Sequence, residues 1–284
     1  MEEAIKRARI LVEALPYIRE FFGKSVVVKF GGQIMDDKNN LRSIVEDIVL
    51  MRYVGIKPVV VHGGGEAISR LMERVGIKPE FVEGNRVTDT QTMEIVEMVL
   101  AGKINKEIVA LINLYGGKAI GVEGKDGGLV LARKVSQERL GLVGEVEKIN
   151  PEIIEIIERE GFIPVVAPVG MSKEGESLNI NADKVAAEIA GAIKAEKLVF
   201  LTDVEGVLED PDKPESLIPT ITRERIKKML EEGKIQRGMI PKVEACEKAL
   251  AKGVRKVHII SGKIPHSLLL EIFTDKGIGT QILP

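Results

Sequence analysis

Cysteine occurs once in the 284 residues, tryptophan not at all, and histidine three times. A lone thiol, Cys246, forbids an internal disulfide and cannot by itself make a zinc site. His62, His258 and His266 show no Ser/His/Asp or metal-ligand spacing, so neither a hydrolytic triad nor a histidine-held metal is indicated. Aromatic residues make up 4% and do not interleave with basic ones, which removes base stacking as a binding mode. No sign of charge dominates: 41 Lys+Arg against 43 Asp+Glu leaves −2, with no net pull toward nucleic acid or an anionic membrane. Apolar runs fall well short of the ~20 residues that cross a bilayer. The first 24 residues are charged throughout and have no signal-peptide core. These absences predict a soluble cytoplasmic protein, built as one two-lobed unit or two domains.

What the chain does have is a succession of β-branched runs alternating with helical patterns. Residues 25–30 (SVVVKF), 58–62 (PVVVH), 118–122, 163–169 (IPVVAPV), 198–203 (LVFLTD) and 256–260 (KVHII) are strand candidates. Several are apolar on both faces, as strands are when helices cover each side of a sheet. Ile44, Ile48 and Met51 before Gly55, and Ile68, Leu71, Met72 and Val75 before Gly76, recur at helical spacing with a glycine stop. The pattern predicts an α/β protein: a three-layer α/β/α sandwich with a central, mostly parallel sheet and two lobes. Residues 127–148 alternate apolar and charged residues around glycines and predict an antiparallel hairpin beside that sheet. Residues 210–219 (DPDKPESLIP) read as a mobile surface loop, and the softest boundary falls at 191–196. Near the N-terminus, Ala4, Ala8, Leu11, Leu15, Ile18 and Phe22 form a four-three seam, with Pro16 expected to kink it. Such a seam can pack on the protein's own core or on a second subunit.

Three glycine-rich turns stand where predicted strands end: Lys29-Phe30-Gly31-Gly32, His62-Gly63-Gly64-Gly65 and Thr202-Asp203-Val204-Glu205-Gly206. Ligands of open α/β sheets bind at such ends, where glycine lets the backbone approach an anion and a following helix offers free N–H groups. Neither GxxxxGK[ST] nor GxGxxG occurs, so the P-loop and the dinucleotide fingerprint are both excluded. Lys29 alone would read as a strand-end lysine reaching water. Lys242, early in a helical pattern, opposes the helix dipole and invites a compensating anion. Asp183 at another helix start suits the dipole without further role, and Arg86, alone, would face solvent. Together, two lysines could neutralise a phosphoryl group in transfer. His258 and Cys246 read as core residues.

In this order along nearly the whole chain, KFGG, VHGGG, GNRVTD, NINAD, LVFLTDVEGVL and GMIPKV resemble the amino-acid kinase family. The combination of NRVTD, NINAD and GMIPK is similar to the branch that acts on N-acetyl-L-glutamate, whereas KFGG alone is shared with aspartate kinases. The resemblance implies transfer of the ATP γ-phosphoryl group to the side-chain carboxylate of N-acetyl-L-glutamate, giving N-acetyl-L-glutamyl 5-phosphate and ADP in arginine biosynthesis. A carboxylate is already ionised at neutral pH, so no general base is required. Positioning and charge stabilisation must then supply most of the catalysis. By the same resemblance, Lys29 and Lys242 stabilise the phosphoryl group, Asp183 orients them, and Gly31, Gly32 and Gly64 donate backbone N–H bonds to its oxygens. Gly64, Gly65, Arg86 and Asn179 would hold the acetylglutamate, with Arg86 taking the α-carboxylate. Thr202, Asp203 and Gly206 would border ATP, whose phosphates carry Mg²⁺ without a protein metal site.

The resemblance also divides the chain into a helical extension (1–23), an acetylglutamate-binding lobe (24–193) and an ATP-binding lobe (194–284). Arginine-inhibited members of the family carry an N-terminal helix that interlaces dimers into a hexameric ring. The extension here matches it, and Tyr17, His258, Glu271 and Gly277 match arginine-binding positions, so feedback inhibition by L-arginine and a hexamer built as a trimer of dimers are expected. A kinase for carrier-bound aminoadipate or another acidic amino acid, and a catalytically silent arginine-sensing subunit, are the alternatives. Glu66 stands where relatives usually have proline and brings a negative charge beside the anion site.

Overall fold

The computed structural model describes residues 1–210, 212–235, 237–274 and 277–284. The Val-rich runs become β1 (Ser25–Phe30) and β2 (Lys57–His62). A short hairpin, β3 (Phe81–Val82) with β4 (Asn85–Arg86), precedes β5 (Ala119–Glu123). The predicted hairpin is β6 (Val130–Lys134) against β7 (Gly144–Ile149), antiparallel as expected. The run predicted as one strand over 163–169 splits at Pro168, which has no N–H to continue a ladder. It yields β8 (Ile163–Ala167) and β9 (Val169–Met171), the latter returning through β10 (Ser177–Asn179). After them come β11 (Lys197–Thr202), β12 (Thr220–Thr222), β13 (Lys256–Ser261) and β14 (Thr280–Leu283).

Eight of these form the central sheet, in the order β12-β14-β13-β11-β1-β2-β8-β5. Every pairing in it is parallel except β13 with β14. Both faces are covered. Val27, Val59, Val61 and Phe200 belong to one buried cluster, and Val26, Val28, Phe30, Val60 and Val199 to the other, as period-two alternation requires. The α/β sandwich read from the sequence is therefore borne out. A four-stranded sheet, β10-β9-β6-β7, lies beside it. Asp37, Asp89 and Asn181 cap the helices Lys38–Tyr53, Thr90–Glu97 and Ala182–Ala192 through their side-chain oxygens, while Gly55 and Gly76 stop their helices at positive φ.

The first helix breaks lightly at Ala14, giving Glu2–Glu13 and Leu15–Phe21 with Pro16 in the opening turn of the second piece, where its missing N–H costs nothing. Its seam does not pack on the protein's own core. Leu11 is 73% exposed, Leu15 50% and Phe22 69%, and among the described side chains of this extension only Phe21, outside the seam, is buried. In the proline-rich stretch, of which Pro211 lies outside the described residues, Pro214–Ser216 forms a 3₁₀ turn and Ser216 Oγ donates to the Asp210 carbonyl at 2.9 Å.

Candidate active site

The site begins with backbone. The turns after β1 and β2 lie against each other: a Cβ on Gly31 would stand 3.0 Å from Gly63 Cα, so side-chain-free residues are needed where the two meet. Gly63 N–H donates to the Phe30 carbonyl at 2.8 Å, which locks the turns in register, and Gly32 takes φ +62°. Gly64 then caps the helix Gly65–Arg74, whose first N–H groups have no acceptor within the helix.

Alternation along β1 puts Lys29 on the face of Val27, which the helices Ala182–Ala192 and Ile240–Ala251 cover. There Asp183, in the first turn of one helix, meets Lys242, early in the other. Lys29 Nζ lies 2.6 Å from Asp183 Oδ1, and Lys242 Nζ lies 2.9 Å from Oδ2. All three side chains are nearly enclosed, and the Lys242 ammonium sits 5.2 Å above the Phe200 ring. Burial alone would raise the Asp183 pKa, but the two lysines outweigh it and hold the carboxyl at about 2. Burial and the neighbouring Lys242 push the Lys29 pKa down against the pull of Asp183. Two ammonium groups around one carboxylate leave a surplus positive charge in a low-dielectric site, which suits a transferring phosphoryl group.

One cleft of about 260 Å³ is lined by Lys29, Gly31, Gly32, Gly64, Gly65, Arg86, Asn179 and Asp183. Lys29 and Lys242 together line an adjoining cleft of about 360 Å³ with Gly31, Gly32, Glu66, Thr202 and Asp203. Beyond it, Asp203 and Gly206 border an apolar pocket of about 290 Å³ with Val207, Ile235, Met239 and Val243. The Lys29–Asp183–Lys242 cluster thus stands between a recess of mixed polar and apolar lining and an apolar one. Arg86 is not solvent-facing, as its sequence position alone would have it. It is 6% exposed, with its guanidinium donating to the Gly65 carbonyl at 2.7 Å and Ser69 Oγ at 2.8 Å and stacking on Phe81 at 4.8 Å. Asn179 Nδ2 donates to Thr88 Oγ1 at 3.1 Å, tying β10 to the same wall. Glu66 lines the adjoining cleft; its hydrogen bond to the Asp36 carboxyl raises its pKa, and Arg70 binds Asp36 at 2.8 Å and stands 3.8 Å from Glu66.

Residues 24–261 match the Amino acid kinase family. The chain belongs to that family. Among curated relatives of this amino acid kinase, an acetylglutamate kinase of Halothermothrix orenii is 55% identical, with 100% of this chain and 99% of the relative aligned. An acetylglutamate kinase of Methanocaldococcus jannaschii is 52% identical over 99% and 98% of the two chains. Among solved structures, the N-acetylglutamate synthase of Neisseria gonorrhoeae complexed with coenzyme A and N-acetyl-glutamate superposes with a TM-score of 0.86 at 27% identity. The match covers 98% of this chain but 63% of that one. The same synthase complexed with coenzyme A and L-arginine gives 0.81 at 26% identity, covering 97% and 65%.

At the other end of the sheet this kinase carries a second buried charge cluster. Glu271 Oε1 lies 2.7 Å from His258 Nδ1 and 3.6 Å from Lys197 Nζ. Burial raises the Glu271 pKa, but His258 and Lys197 bring it below its ordinary value overall, while burial pushes those of His258 and Lys197 down. Tyr17, Glu20, Lys197, Glu271 and Gly277 line a recess of about 270 Å³ there. His258 stands behind Glu271 rather than on that wall. Cys246 is core, its thiol pKa pushed far up by burial. Among the lining residues that were not sequence candidates, two hold candidates in place. Asn181 caps the Asp183 helix and lines the cleft, a role its position in NINAD before a helical run could have signalled. Phe81, which pins Arg86, gave no signal in a segment with no periodicity.

Proposed function

We propose that this chain transfers the ATP γ-phosphoryl group to the side-chain carboxylate of N-acetyl-L-glutamate, forming N-acetyl-L-glutamyl 5-phosphate and ADP, as a step of arginine biosynthesis in the cytoplasm. The observation that carries it is the Lys29–Asp183–Lys242 centre standing between a recess of mixed polar and apolar lining and an apolar one, in a chain whose full-length relatives are acetylglutamate kinases. Acetylglutamate occupies the recess of Arg86, Asn179, Gly64 and Gly65, where the guanidinium meets the α-carboxylate. The nucleotide lies along Thr202, Asp203 and Gly206, its base in the apolar pocket. Lys29 and Lys242 hold the phosphoryl oxygens while Asp183 keeps both ammonium groups in place, and the N–H groups of Gly31, Gly32 and Gly64 complete the cradle. Since the attacking carboxylate is already ionised, no proton has to be removed.

Mg²⁺ would come with ATP and would supply neutralisation of charge on its phosphates. Asp203 and Glu66, which line the cleft of Lys29 and Lys242, are the carboxylates beside the place the ATP phosphates would take. No helix among the described residues is long and apolar enough to cross a membrane. L-Arginine, cationic at one end and zwitterionic at the other, suits the recess of Tyr17, Glu271 and Gly277, which holds both carboxylates and Lys197. His258 braces Glu271 from behind. The exposed apolar seam of residues 1–23 supports a homo-oligomer, a hexamer of three dimers. A coupled ADP-release assay offering N-acetyl-L-glutamate, glutamate and aspartate, with and without arginine, tests the reading. It expects turnover with the acetylated substrate and its inhibition by arginine; turnover with glutamate or aspartate instead contradicts it.

A further inference from the structure

His62 ends β2 directly beneath the glycine turn, is 0% exposed, and has no part in the chemistry above. Its Nδ1 lies 2.9 Å from the Gly63 carbonyl oxygen and its Nε2 3.3 Å from Asn105 Nδ2. The Asn105 amide is itself fixed from two sides. Its Nδ2 donates to the Val165 carbonyl at 2.8 Å, and its Oδ1 accepts from Lys106 Nζ at 3.2 Å. The NH₂ group therefore faces His62 Nε2, which must be the acceptor, and the ring proton belongs on Nδ1. The other tautomer would set N–H against N–H at one end and a lone pair against a carbonyl at the other.

A π-helical turn brings this arrangement about. Met98–Ile104 interrupts the helical run between Thr90–Glu97 and Asn105–Leu114, and its Leu100 and Ile104 side chains close on Gly64, where a Cβ would come within 2.6 Å of both. The same turn delivers Asn105, the next residue, to His62.

We propose that His62, held in one tautomer by Asn105, is a positioning residue that sets the Gly63–Gly64 peptide so that the Gly64 N–H is presented to the phosphoryl oxygens. A trans peptide is planar, and its C=O and N–H point opposite ways. With the Gly63 carbonyl held inward by a buried ring and the Gly63 N–H held by Phe30, the Gly64 N–H turns outward, toward the cleft that Gly64 lines. Burial, with Lys29 and Lys106 nearby, lowers the His62 pKa to about 4, so the ring stays neutral and the donor stays in place. The donor is thus fixed before substrate arrives, which is what preorganised stabilisation of developing charge needs. The role of the Gly64 N–H rests on the proposed phosphoryl transfer; the tautomer does not.

Two variants and one spectrum test it. In His62→Leu, which removes the donor, kcat should fall about 10- to 100-fold while KM for each substrate moves less than about threefold. In His62→Asn the amide nitrogen takes the place of Nδ1, and kcat should return to within about fivefold of native. Native kcat in the leucine variant, or equal loss in both, overturns the donor role. ¹⁵N spectra of the native protein's three histidines, with His62 assigned by its absence in His62→Asn, should show a neutral Nδ1–H ring from about pH 5.5 to about pH 8.5. An Nε2–H tautomer or a charged ring in that range overturns the proposal whatever the rates of the variants. The spectrum needs no substrate, so a native protein inactive on acetylglutamate would remove the function while leaving the tautomer to be judged separately.

Discussion

The two buried charge clusters of this kinase use similar ingredients to opposite ends. Lys29 pairs in register with Phe200 and faces the same side of the sheet as Val27, whereas Lys197 pairs with Val26 and shares its side with Val199. The clusters therefore lie on opposite faces, three residues or about 10 Å apart along the strands. In the first, two lysine side chains flank one carboxylate, so basic groups outnumber acidic ones. The second sets one lysine and a histidine that burial favours as neutral around Glu271, leaving no comparable surplus. A surplus receives a polyanion. A near-balanced cluster with a reachable carboxylate receives a cation or a zwitterion.

Breaking the first cluster should have the largest effect. Asp183→Ala leaves two buried ammonium groups facing each other, and a denaturant titration should show a loss of about 3–5 kcal/mol together with loss of turnover. A variant as stable as the native protein would mean the carboxylate does not hold the lysines. Breaking the second should spare catalysis. Glu271→Ala is expected to weaken arginine inhibition at least roughly 5-fold, the low end of ordinary allosteric coupling, while uninhibited kcat changes less than about twofold. Because the recess proposed for arginine is on the far face, inhibition should persist when ATP and acetylglutamate both saturate; full relief by excess ATP would place arginine in the cleft of Lys29 and Lys242 instead.

Acid sharpens the contrast within the catalytic half. His62 is held down to about 4, so its contribution to stability is complete above its unfolded value of roughly 6.5 and is lost as pH falls from there to about 4. Asp183 is held at about 2, so its contribution is complete above its unfolded value of roughly 3.9 and is lost only as pH falls through about 2. Unfolding midpoints measured from pH 7 downward should fall in that order, and His62→Asn should shrink the first step without removing it, since buried His258 is also held below its ordinary value. The smallest effect belongs to the surface. The exposed Arg225–Glu209 pair should contribute less than about 1 kcal/mol, read as the midpoint shift of Arg225→Ala.

Sequence made the frame of this molecule legible where physics is local. Val-rich runs placed β1 and β2, the apolar run LVFLTD placed β11, and helical spacing closed by Gly55 and Gly76 placed the helices Lys38–Tyr53 and Gly65–Arg74. The lysine pair was legible as two groups but not as a contact, since Lys29, Asp183 and Lys242 meet only through the packing of two helices on one sheet face. What stayed hidden depended on distant partners. Arg86 is buried because Phe81 and the first turn of the helix Gly65–Arg74 enclose it, and a two-residue hairpin leaves no periodic trace. His62 looked like an isolated ring because Asn105 lies 43 residues away, behind a π-helical turn that no apolar spacing announces. β14 (Thr280–Leu283) is too short to show a period and owes its place to pairing with β12 and β13.

The central claim is that paired ammonium groups let two anionic reactants meet. Its most direct test is the rate of the chemical step, ATP plus N-acetyl-L-glutamate in a single turnover, in the native enzyme and in Lys29→Met. The account predicts a loss of more than about 100-fold in the variant with the fold retained by circular dichroism. A rate within a few-fold of native would contradict it.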